Sequence, residues 1–176
     1  MEYKYLLELL KAEMYEEFFA DFKNVLVPFM KPQVYRRSIL ENSSFIASSA
    51  YPDKGSHGRG FVARLSGATA EFIDMWIIMT TGKNIFSIDK SGKLIFKLSP
   101  KLPKWLFRNG MFSFKLLGST DVTYINKKNK DIFGMKPAGY KLIIDKKEVS
   151  IDKDFIPEPY SKLIRDRKVQ KIIVSI

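Results

Sequence analysis

Cysteine is absent from these 176 residues, and histidine occurs once, at His57. The first absence excludes a disulfide framework, a thiolate metal site and a cysteine nucleophile, and it suits a reducing cytoplasm. The second excludes a metal centre built on several histidines, and no metal or cofactor is expected. No apolar run approaches the roughly 18 residues of a membrane span, because Asp74 interrupts the longest candidate. No secretory leader is expected, since Met1-Glu2-Tyr3-Lys4 opens directly onto an amphipathic pattern. No Gly-Lys-Ser/Thr follows a glycine loop, which excludes a Walker A site, and no strand–glycine–helix unit offers a dinucleotide fingerprint. Internal repeats and low-complexity tracts are also lacking.

What is present describes a folded chain. Hydrophobic residues make up 45%, with fourteen Phe, eight Tyr and two Trp, enough to bury a core in one domain or two small ones. The net charge of +11 is unevenly placed. Residues 1–30 hold three lysines against six acidic residues, and residues 31–82 hold six basic against four acidic. Residues 83–176 hold 21 basic against nine acidic. Nucleic-acid binding is one reading of that C-terminal charge. The other is lysine on exposed strand faces and edges, where it resists edge pairing. No nucleic-acid motif accompanies the lysines, so the second reading is the expected one.

Hydrophobic spacing predicts a helix over residues 3–26, from Leu6, Leu9, Leu10, Phe18, Phe22, Val25 and Leu26, ended or redirected by Pro28 and Pro32. Ser38 to Glu41 fits a capping box, with a short helix or irregular segment around Phe45-Ile46-Ala47. Residues 51–65 read as a loop, after which Ser66 caps a helix that ends at Gly82 and is apolar on more than one face, hence buried nearly all round. Beyond Gly82 about seven short strands alternate with turn signals, a sandwich-like pattern. The expected division is a helical segment over 1–82 and a β domain over 83–176.

Chemistry concentrates between His57 and Gly67. Gly58 and Gly60 let backbone approach a ligand closely, Arg59 and Arg64 supply planar cationic donors, and Ser66-Gly67 opens a helix whose first amides lack partners. Phosphate or another oxyanion suits such a site; the alternative is an ordinary serine-capped helix after a glycine loop. His57 serves either acid–base chemistry or loop polarity. Glu41, Asp53, Glu71 and Asp74 are the carboxylates of the middle of the chain, and no catalytic pair stands out among them.

Three stretches carry a resemblance: Phe45-Ile46-Ala47-Ser48-Ser49-Ala50-Tyr51, Gly58-Arg59-Gly60 and Ser66-Gly67-Ala68-Thr69-Ala70. Together they resemble the end of the catalytic barrel in cellobiose phosphorylases, the glycoside hydrolase family 94, and related oligoglucan phosphorylases. Glu41–Ile46, His57–Gly67 and Pro159–Ser161 are similar to stretches of the less-studied relatives. The resemblance implies an α+β chain: terminal helices of an (α/α)6 barrel followed by a jelly-roll-like β-sandwich. It implies phosphate as co-substrate, held by Ser66 and Gly67, and places Glu41 near the acceptor sugar of a β-glucan or oligosaccharide. Beside it, the residues themselves suggest that Arg59 and Arg64 help balance the phosphate charge and that His57 joins Glu41 in substrate binding. The resemblance also implies a C-terminal piece, since the family's general acid lies on an earlier part of the barrel. No residue of this chain is therefore expected to be catalytic, and the fragment is expected to be inactive alone. Completion by a missing barrel chain, or self-association, is the expected partnership. The alternative is a non-catalytic carbohydrate-related binding or assembly module.

Overall fold

The computed structural model describes residues 2–41, 43–62 and 67–176. The chain is α+β and divides into two units, Met1–Trp76 and Ile77–Ile176.

The first unit opens with α1 (Glu2–Lys11) and α2 (Tyr15–Val25). One continuous helix was the expectation, and the break at Ala12–Met14 has no proline or glycine to announce it. The break is a Schellman turn: Met14 N–H donates to Leu9 O at 3.0 Å, Glu13 N–H donates to Leu10 O at 3.3 Å, and Glu13 takes φ +64°. Folding back lets both apolar stripes share one core. Leu6, Leu10, Phe18, Phe22 and Leu26 are almost fully buried there. Phe22 meets Trp76 edge-on at 6.2 Å and Trp76 meets Phe72 at 6.3 Å, so the half-buried Trp76 packs against both the buried Phe22 and the half-buried Phe72. A 3-10 turn over Val27–Phe29 and the short α3 (Pro32–Tyr35) follow, each with a proline in its first turn.

The capping-box expectation at Ser38 is not met. Its hydroxyl accepts from Leu40 N–H in a local turn, and no helix follows. The segment beyond is β1 (Phe45–Ile46), paired antiparallel with β2 (Gly60–Phe61) in the register Phe45↔Phe61 and Ile46↔Gly60. Next comes α4 (Gly67–Thr81), within which the division into units falls. Burial all round was expected of α4, yet among its described side chains Met75, Ile78, Met79, Thr80 and Thr81 are the buried ones, while Ile73 and Ile77 are half-exposed. Gly82 closes the helix with φ +88° and its N–H on Ile78 O.

In the second unit, β3 (Phe86–Ile88) and β4 (Leu94–Phe96) form a hairpin whose turn is tied by the Asp89 carboxylate, which accepts from Ser91 N–H and Lys93 N–H. A five-stranded sheet follows, made of β5 (Met111–Leu116), β6 (Thr120–Ile125), β7 (Gly139–Ile144), β8 (Lys147–Ile151) and β9 (Lys171–Ser175) in the order β5-β6-β9-β7-β8. The crossover from β8 through α5 (Tyr160–Arg165) inserts β9 between β6 and β7, parallel to β6. One sheet face is core, with Val122, Tyr124, Leu142, Ile172 and Val174 buried at alternate positions. The other carries ion pairs such as Lys115–Asp121 and Lys141–Glu148. Buried side chains lock the layers: Tyr124 Oη donates to Thr80 O at 2.6 Å, and Ser161 Oγ donates to Leu94 O at 2.7 Å.

Candidate functional site

The β1–β2 hairpin is the frame of the candidate site. Ala47 N–H donates to Arg59 O at 3.0 Å and Gly58 N–H donates to Ala47 O at 2.8 Å, so the stretch after Phe45 is zipped onto Gly58-Arg59-Gly60. Two glycines are demanded by the packing. Gly58 has φ +77°, and a Cβ there would lie 2.6 Å from Val34 Cγ1. A Cβ at Gly60 would overlap the Tyr35 ring and the Ser43 hydroxyl.

Tyr35 is the post behind the hairpin. It is fully buried, and its hydroxyl donates to Glu41 O at 2.7 Å and lies 2.5 Å from Ser43 Oγ. Its ring also lines a groove of about 290 Å³ with Met30, Lys31, Val34, Ile46 and Gly58. This groove lies on the Ile46 side of the hairpin, and its lining is largely apolar.

The loop between the strands is organised by Asp53. Its carboxylate accepts from Gly55 N–H at 2.9 Å and Ser56 Oγ at 2.6 Å, bonds that hold its pKa below the usual carboxylate range, the serine hydroxyl contributing most. His57 Nε2 donates to Tyr51 O at 2.7 Å, since a carbonyl can only accept. In the neutral imidazole this leaves Nδ1 as the acceptor.

The site residues expected from sequence fall as follows. Arg59 is exposed, with its guanidinium 5.1 Å from the centre of the Phe61 ring. Gly67 is the first residue of α4, so the helix amides begin where the oxyanion site was placed. Arg64 and Ser66 lie outside the described residues. Glu41 joins the frame through its backbone, and its carboxylate pairs with Arg37 at 3.2 Å. The described side-chain hydrogen bonds of Glu41 and His57 thus run to Arg37 and Tyr51, not to Arg59. Glu41, Phe45–Ala47 and Gly58–Gly60 are brought into one local structure. Among the described residues, no group of three or more His, Asp or Glu could hold a metal.

Sequence reasoning missed Tyr35 and the Phe45–Phe61 pair. Two-residue strands give no alternation to read, and Tyr35 reveals its role only through contacts made across the loop. No protein-family description matches this chain, and no curated protein matches it.

Proposed function

We propose that residues 41–70 form the phosphate side of an inverting β-glucan or cello-oligosaccharide phosphorylase, in a chain that is the C-terminal part of such an enzyme. The observation that supports this reading is the β1–β2 pairing. It joins two of the three stretches that carry the resemblance, Phe45–Ala47 and Gly58–Gly60, and the third opens α4. In this reading a phosphate oxygen sits at the α4 start, held by Gly67 and by Ser66, with Arg59 and Arg64 balancing its charge. Phosphate attacks the anomeric carbon while an acid protonates the leaving oxygen, converting a β-glucoside into an α-sugar 1-phosphate. In this reading the acid belongs to barrel helices outside residues 1–176, and the β-rich second unit corresponds to the domain that follows the barrel in the family.

The test is phosphorolysis. The purified 176-residue chain is expected to release no sugar 1-phosphate from cello-oligosaccharides and phosphate. Release by this chain alone would contradict the assignment of the acid elsewhere.

A second reading, an assembly or binding module, is favoured by apolar exposure in the first unit: Leu40 is 93% exposed and Ile73 54%. Light scattering across a concentration series tests it, and a monomer throughout counts against self-association.

A further inference from the structure

The β1–β2 register places Phe45 directly opposite Phe61. Directly opposed residues share a sheet face, with Cβ atoms about 4.5–5.5 Å apart. Their neighbours Ile46 and Gly60 take the other face, against Tyr35. The Phe45 side is left open: Phe45 is 69% exposed and Phe61 37%. Two-residue alternation puts Arg59 on this same side, and its guanidinium does lie on the Phe61 ring.

We propose that the exposed Phe45 ring is a stacking platform for a pyranose ring, with the Arg59 guanidinium, seated on the neighbouring Phe61 ring, supplying hydrogen bonds at its margin. The choice of a sugar rests on the phosphorylase reading above. The geometry narrows the alternatives. Two partly exposed rings offer on the order of 200 Å², far below the roughly 800 Å² per partner of a stable protein interface. Single-stranded nucleic acid needs a cationic groove beside its stacking rings, and residues 31–82 carry six basic against four acidic residues. A neutral sugar needs neither large area nor many charges. Its C–H face covers an aromatic ring, and its hydroxyls accept from the planar guanidinium fork.

The test titrates cellotetraose into the 176-residue chain and follows backbone amide shifts, with and without inorganic phosphate. The expected result is movement at Phe45, Ile46, Gly60 and Phe61 in both buffers. Phe45→Leu keeps apolar bulk but removes the ring face, and should weaken binding about three- to tenfold. Phe45 is exposed, so the melting profile should not change; Arg59→Gln provides a second variant with the rings intact, and it too should weaken the sugar. Sugar shifts confined to other residues, or an affinity indifferent to both substitutions, would overturn the platform. So would tighter binding of an oligonucleotide at these residues, or self-association abolished by Phe45→Leu. The phosphate arm is independent. Phosphate shifts at Gly67 without sugar shifts at the rings refute the platform alone, and sugar shifts at the rings without phosphate shifts leave the platform standing while the phosphorylase reading fails.

Discussion

Gly60 lies so close to Tyr35 that no side chain fits between the β2 backbone and the tyrosine ring. Tyr35 is buried and braced by Glu41 O and Ser43 Oγ, so it has little room to yield. Gly60→Ala should therefore destabilise the first unit by about 1–3 kcal/mol, read as a shift of the denaturation midpoint. Tyr35→Phe in the same background should not restore it, because the overlap is with the ring rather than the hydroxyl. A Gly60→Ala protein as stable as the parent would mean that the hairpin does not pack on Tyr35.

Much of the second unit was legible in the sequence, for local reasons. Asp89 to Gly92 and Asp145 to Lys147 are turn residues between alternating apolar runs, and the hairpins β3–β4 and β7–β8 form there. The parallel β6–β9 pair was not legible, because a six-residue helix and a distant strand insertion create it. In the first unit, propensity misled where tertiary packing won. Residues 3–26 have helical spacing throughout, yet the chain turns at Glu13 to bring two stripes together. At the site, the glycines and Arg59 announced themselves, whereas their support did not.

Glu13 occupies the left-handed position that glycine takes in most Schellman turns. The strain of a side chain there exceeds the entropy cost of glycine. Glu13→Gly is expected to stabilise the first unit by about 0.5–1 kcal/mol, measured by chemical denaturation. A destabilisation of similar size would indicate that residues 3–26 prefer one continuous helix.

Burial pushes the hydroxyls of Tyr124 and Tyr140 above the usual tyrosine value, each also committed to a backbone carbonyl, Thr80 O and Asp154 O. A raised folded-state value means the stabilisation is complete below the unfolded value near 10 and lost as pH rises beyond it. The second unit should unfold in alkali, and the tyrosinate absorbance of these two residues should appear with the loss of structure. Tyr124→Phe should cost about 1–2 kcal/mol at neutral pH and remove part of the alkaline dependence. Tyrosinate formation at all eight tyrosines before unfolding would contradict the burial.

On the acid side, the Lys97 ammonium, 2.7 Å from Asp154, holds that carboxyl below its usual range. Lys162 and the Leu94 amide do the same for Glu158. A lowered folded-state value means stability is present above the unfolded carboxylate value near 4 and is lost as pH falls through the folded one. Asp154→Asn should flatten this acid limb of stability measured by thermal melts from neutral to acid pH. An unchanged limb would remove Asp154 from the account.

The central claim is that the loop after β1 and the start of α4 form one phosphate site. Its most direct test is an amide-shift titration with inorganic phosphate, using sulfate and chloride as controls at constant ionic strength. The account predicts saturable shifts at Arg59, Gly67, Ala68 and Thr69 that are lost in Arg59→Ala. Shifts confined to the lysines of residues 83–176, or none at Gly67 to Thr69, would contradict it.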